Sequence, residues 1–116
     1  MTQLFHITER AAWTAAKQAG EYRMSTRGVT LEQQGFIHCS LRHQLRTVAE
    51  YIYGDVDDDL VVLVIDSARL PVPVRYEAPE GESEAYPHIY GALPADAVTE
   101  VIAVSRDAAG RLVLPV

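Results

Sequence analysis

Cysteine is almost missing from this chain of 116 residues: Cys39 is the only one, so no internal disulfide can form. A chain without that framework fits a reducing compartment and must hold itself together by burial. No positively charged leader followed by an apolar segment opens the sequence, and the expected location is cytoplasmic. The longest apolar run, Leu60 to Ile65, is far too short to cross a bilayer. A Walker loop, a serine-nucleophile elbow and a dinucleotide glycine fingerprint are all lacking. So is any pair of histidines four apart on a helix, the commonest helical signature of a zinc site. The acidic cluster Asp57-Asp58-Asp59 lacks the glycine and distal glutamate of a calcium loop and reads as a solvated turn.

What is present is enough apolar residue for one domain spanning 1–116, at 48% of the chain. The net charge of −6 is unevenly spread. Residues 1–54 hold six basic against four acidic residues, net +2, and residues 55–116 hold four against twelve, net −8. Most of the surface would repel a phosphate backbone, so general nucleic-acid binding is not expected, nor is membrane binding.

Periodicity divides the chain into short elements. Residues 3–7 read as a first strand, with Thr8 as N-cap of a helix from Glu9 to about Ala19 that Trp13 anchors and Gly20 ends. Glu21 to Met24 reads as a short strand and 29–34 as a helical turn. Gly35 opens another strand. Ser40 is placed as the cap of the clearest helix, whose apolar stripe is Leu41, Leu45, Val48, Ala49 and Ile52 and which Gly54 stops. Leu60–Ile65, continuous and β-branched, is expected to be the central strand, buried on both faces. Short strands follow at Val74–Glu77 and Tyr86–Tyr90, and Val101–Ser105 with Leu112–Leu114 should close as a hairpin. Two main helices and many short strands without βαβ alternation predict an α+β fold of small twisted mixed or antiparallel sheets.

Three of the apolar strands carry a histidine that their pattern does not require: His6, His38 and His88. Burying an imidazole is costly unless both nitrogens find partners or the face opens on a ligand. Their placement near turns predicts one shared cleft. His38 and Cys39 point to opposite faces of their strand, which argues against a Cys-His catalytic pair and makes Cys39 a small buried hydrophobe. His38 itself faces either the core, with satisfied hydrogen bonds, or the cleft. A helix start at Ser40 would offer free N–H groups to a phosphate, within reach of Arg23 and Arg27. His88 shares a face with Tyr86 and Tyr90, an aromatic wall with a polar rim.

The motifs Phe5-His6-Ile7-Thr8, Trp13 with Ala16 and Gly20, Tyr22 with Ser25, Gly35-Phe36-Ile37-His38-Cys39-Ser40 and Tyr86-Pro87-His88-Ile89-Tyr90-Gly91 resemble the bacterial family known as "domain of unknown function 952". More distantly, the first and second of the histidine motifs are similar to those of ADP-ribosyltransferases, and histidine at both later motifs is similar to the RNA 2′-phosphotransferase branch. The resemblance implies an ADP-ribosyltransferase-like fold that binds NAD or a related ribose-phosphate ligand as substrate, and transfer of ADP-ribose to an unidentified acceptor. It implies catalytic roles for His38 and His88. It implies substrate contacts for His6, Thr8, Arg23, Ser25, Ser40 and Tyr90, with no metal. Ile7 stands where the transferases carry glycine, and His88 where many carry a catalytic glutamate. Two alternatives therefore stand beside it: a non-catalytic nucleotide-binding module, and a metal-dependent hydrolase using the three histidines.

Overall fold

Leu60–Asp66 is the strand about which everything else is arranged, because each of its faces packs a different core. The computed structural model describes residues 2–116. In chain order the elements are β1 (Gln3–Glu9), α1 (Arg10–Ala19), β2 (Glu21–Tyr22), β3 (Met24–Thr26), β4 (Val29–Thr30), α2 (Leu31–Gln34), β5 (Ile37–His38), α3 (Leu45–Tyr53), β6 (Leu60–Asp66), β7 (Val74–Glu77), β8 (Tyr86–Ile89), β9 (Leu93–Pro94), β10 (Val98–Ala103), β11 (Ser105–Arg106) and β12 (Leu112–Val113). Single 3-10 turns lie at Arg42–Gln44, Ser67–Arg69 and Ala95–Ala97.

β6 is central in an antiparallel sheet of order β1-β6-β10, and a second antiparallel sheet has the order β5-β8-β7. Three two-stranded pairs, β2-β9, β3-β4 and β11-β12, complete an α+β fold of small antiparallel sheets with two main helices. Strand alternation sorts the core. Val61, Leu63 and Ile65 join Leu4, Trp13, Ile37 and Ile89 on one side. Leu60, Val62 and Val64 join Phe5, Ile7, Leu45 and Ala49 on the other. The reading of Leu60–Ile65 as a central strand buried on both faces holds. Among the described residues no helix is long and apolar enough to cross a membrane.

Several expected boundaries move. Thr8 does not cap α1. It stays in β1 opposite Val61, and the helix begins after Glu9, which caps it with no side-chain bond. Ser40 does not cap α3 either. Its N–H and C=O both bond Phe5 across an isolated bridge, at 2.8 Å each. The chain then makes a 3-10 turn in which the Gln44 side chain accepts from the Leu41 N–H at 2.9 Å, and α3 begins only at Leu45. The expected terminal hairpin is shorter: β10 pairs with β6, leaving Ser105–Arg106 to pair with Leu112–Val113.

Candidate functional site

The β5-β8-β7 sheet places three titratable side chains in series. His38 on β5 is the direct cross-strand partner of His88 on β8, and Glu77 on β7 pairs with Tyr86, one diagonal from His88. Nδ1 of His88 lies 2.8 Å from Glu77 Oε1, and Nε2 of His88 lies 3.2 Å from His38 Nδ1. The carboxylate accepts, so Nδ1 of His88 carries its hydrogen. In the neutral pair Nε2 of His88 then accepts from the Nδ1–H of His38. The Tyr90 hydroxyl donates to the same Glu77 oxygen at 2.6 Å. Phe36 stacks flat on the His88 ring, with centroids 4.0 Å apart and an interplanar angle of 11°, and so fixes its plane.

Charge follows this geometry. The bonds from Tyr90 and His88 hold the Glu77 carboxyl below its ordinary range, and Glu77 in turn raises the Tyr90 phenol. Burial, with a smaller contribution from His88, lowers His38 from 6.5 to about 4. At neutral pH His38 is therefore an uncharged imidazole. Its Nε2 has no partner among the described residues.

This series lines a cavity of about 840 Å³. Phe36, His38, Tyr86, His88, Tyr90 and Glu77 form one part of its wall, while β3 and α3 supply Ser25, Thr26, Thr47 and Val48. Of the expected site residues, the fold brings together His38, His88, Ser25 and Tyr90 here.

The others lie elsewhere, and the expectation of three imidazoles around one cleft is corrected. His6 is 3% exposed in the core: its Nδ1–H donates to the His38 carbonyl at 2.7 Å, and its Nε2 lies 2.7 Å from the Tyr22 hydroxyl. Thr8, 2.8 Å from the same hydroxyl, completes a closed polar cluster beneath β5. Both nitrogens of His6 are thus engaged, and a three-histidine metal site is not assembled. Among the described residues no group of three His, Cys, Asp or Glu is placed to hold a metal. Arg23 lies on the surface between Glu21 and Glu32, at 2.8 and 2.9 Å. Ser40 is buried with its backbone N–H already bonded, so it offers no phosphate site. Cys39 is buried, as expected, and burial pushes its thiol well above the ordinary range.

The family described as "Protein of unknown function (DUF952)" matches residues 7–101, a stretch that includes every member of the histidine series. The chain belongs to this family. Among solved structures, the DUF952 chain is similar to the protein CC0527 from Caulobacter crescentus. The crystal structure of CC0527 superposes with a TM-score of 0.81 at 31% identity, over 97% of this chain and 95% of that one. Its solution NMR structure gives a TM-score of 0.76 at 31% identity, over 96% and 91%. No curated protein matches.

Glu77 is the functional candidate of this DUF952 domain that sequence reasoning missed. The only local signal was a carboxylate ending a short strand just before an acidic loop. Its meaning depends on the register that sets Glu77 opposite Tyr86.

Proposed function

We propose that this DUF952 domain is ADP-ribosyltransferase-like and that its cavity binds NAD or a related ribose-phosphate ligand. The observation that carries the proposal is the hydrogen-bonded series Glu77–His88–His38 opening on a cavity of about 840 Å³. That volume falls in the range of small-molecule sites, roughly 300–1,000 Å³. The series has the logic of an oriented base: a carboxylate fixes the tautomer of one imidazole, which fixes the next. Breaking the bond between nicotinamide and ribose builds positive charge on the sugar. Carboxylates in the wall, from Glu77 and Glu82, suit that charge.

In this reading the C–N bond breaks and its electron pair leaves with nicotinamide. An acceptor hydroxyl, or water, bonds to the anomeric carbon, and its proton passes to Nε2 of His38. His38 keeps its Nδ1–H on His88, whose ring is held by Glu77 and by the stacked Phe36. A non-catalytic nucleotide-binding module is the second reading. It draws on the lowering of His38 to about 4, which leaves a weak base at neutral pH.

Calorimetric titration with NAD, run beside chromatographic detection of free nicotinamide, separates the two. A transferase releases nicotinamide, and His38→Ala abolishes release while Glu77→Gln reduces it. A module binds NAD without release. Absence of NAD binding by the wild type contradicts both.

A further inference from the structure

The cavity has two chemically different walls. One, from β5, β7 and β8, carries the titratable series. The other, from β3, α2 and α3, carries no charged side chain: Ser25, Thr26, Gln34 and Thr47 offer hydrogen-bonding groups beside Val48, Tyr51 and Ile52. Ser25 is 1% exposed, and its hydroxyl has no hydrogen-bond partner among the described residues. Buried polar atoms are nearly always paired, because an unpaired one forfeits its hydration without return. A serine hydroxyl both donates and accepts, and it turns among three staggered positions about χ1. An orphan of this kind in a cavity wall is poised for a hydrogen-bonding group brought by a ligand.

The charged side chains of the wall narrow the identity of that group. Among the described residues they are Glu77 and Glu82, both carboxylates; no lysine or arginine lines the cavity, and the guanidinium groups of Arg75, over the Tyr90 ring, and Arg27, on the Ile52 carbonyl, are not part of its wall. A phosphate inside would leave water only to meet like charge. A sugar hydroxyl or a carboxamide would lose little and would complete Ser25.

We infer that Ser25 anchors an uncharged hydrogen-bonding group of the ligand, a sugar hydroxyl or carboxamide, and that the ligand's phosphates stay outside the cavity. This rests on the functional reading above and specifies which part of the ligand is enclosed.

The test is calorimetric titration of the full chain with nicotinamide riboside, NAD and inorganic pyrophosphate, in the wild type and in Ser25→Ala. The wild type should bind the riboside and NAD, and pyrophosphate should not compete. Ser25→Ala should weaken both nucleosidic ligands about fivefold to tenfold, the factor one neutral hydrogen bond supplies. The unliganded variant should also melt above the wild type, since an unpaired buried hydroxyl has been removed. Unchanged affinity in Ser25→Ala, a lower melting temperature, or competition by pyrophosphate overturns the inference. If the wild type binds neither riboside nor NAD, the functional reading fails and takes this inference with it. If it binds NAD and Ser25→Ala binds equally well, only the anchor fails.

Discussion

Lowering the pH should destabilise this fold through one buried ring, His6. The ring is 3% exposed, its Nδ1–H is committed to the His38 carbonyl, and its Nε2 accepts from Tyr22. A proton arriving at Nε2 would displace the Tyr22 hydrogen bond and place a charge in the core, which is why burial lowers His6 from 6.5 to about 4. The folded value lies below the unfolded one. The stabilisation is therefore complete above about pH 6.5 and is lost as pH falls toward 4. At about pH 4.5, comparing protonation of the two states gives a loss of about 2–3 kcal/mol from this residue alone. That is a large share of the roughly 5–15 kcal/mol typical of a domain.

The assay is urea unfolding at about pH 7.5 and 4.5, followed through the fluorescence of buried Trp13. Carboxylates and His38 also titrate over this interval, so the comparison is with His6→Asn, which keeps a donor and an acceptor but cannot titrate. The wild type should lose about 2–3 kcal/mol more than the variant. Equal losses would refute the reasoning.

Tyr22→Phe leaves Nε2 of His6 a buried acceptor without a donor and should cost about 1–3 kcal/mol at neutral pH. A shift in the urea midpoint worth less than about 0.5 kcal/mol would contradict the closed cluster of His6, Tyr22 and Thr8. Arg106 donates to the carbonyls of Tyr53, Gly54 and Gly110, at 2.8, 3.1 and 2.8 Å, and to that of Val56. It thereby ties the end of α3 to the β11-β12 turn. Arg106→Ala should cost about 2 kcal/mol and speed amide exchange in the last turn of α3, and exchange at the wild-type rate there would refute that role.

The sequence revealed strands and faces wherever a pattern repeated within one segment. Leu60–Ile65 declared its burial because six apolar residues in a row leave no solvent face. The common face of Tyr86, His88 and Tyr90 followed from a period of two, and all three line the cavity. What could not be read depended on contacts distant in the chain. His6 and His38 carry the same strand signal. Tyr22, from a strand of two residues, closes the space over one of them, whereas among the described residues no partner reaches the outer nitrogen of the other. Ser40 has the side chain of a helix cap, but its backbone was claimed by Phe5, thirty-five residues earlier in the chain. Glu77 acquired its partners from the pairing of β7 with β8, which no local pattern encodes.

The most direct test of the site is a crystal of the protein soaked with ADP-ribose and nicotinamide. The account predicts density in the cavity, with a ribose or carboxamide group within hydrogen-bond reach of Nε2 of His38 and the phosphates directed toward solvent. Density confined to another surface, such as the shallow depression between Arg10 and Asp58, would contradict it.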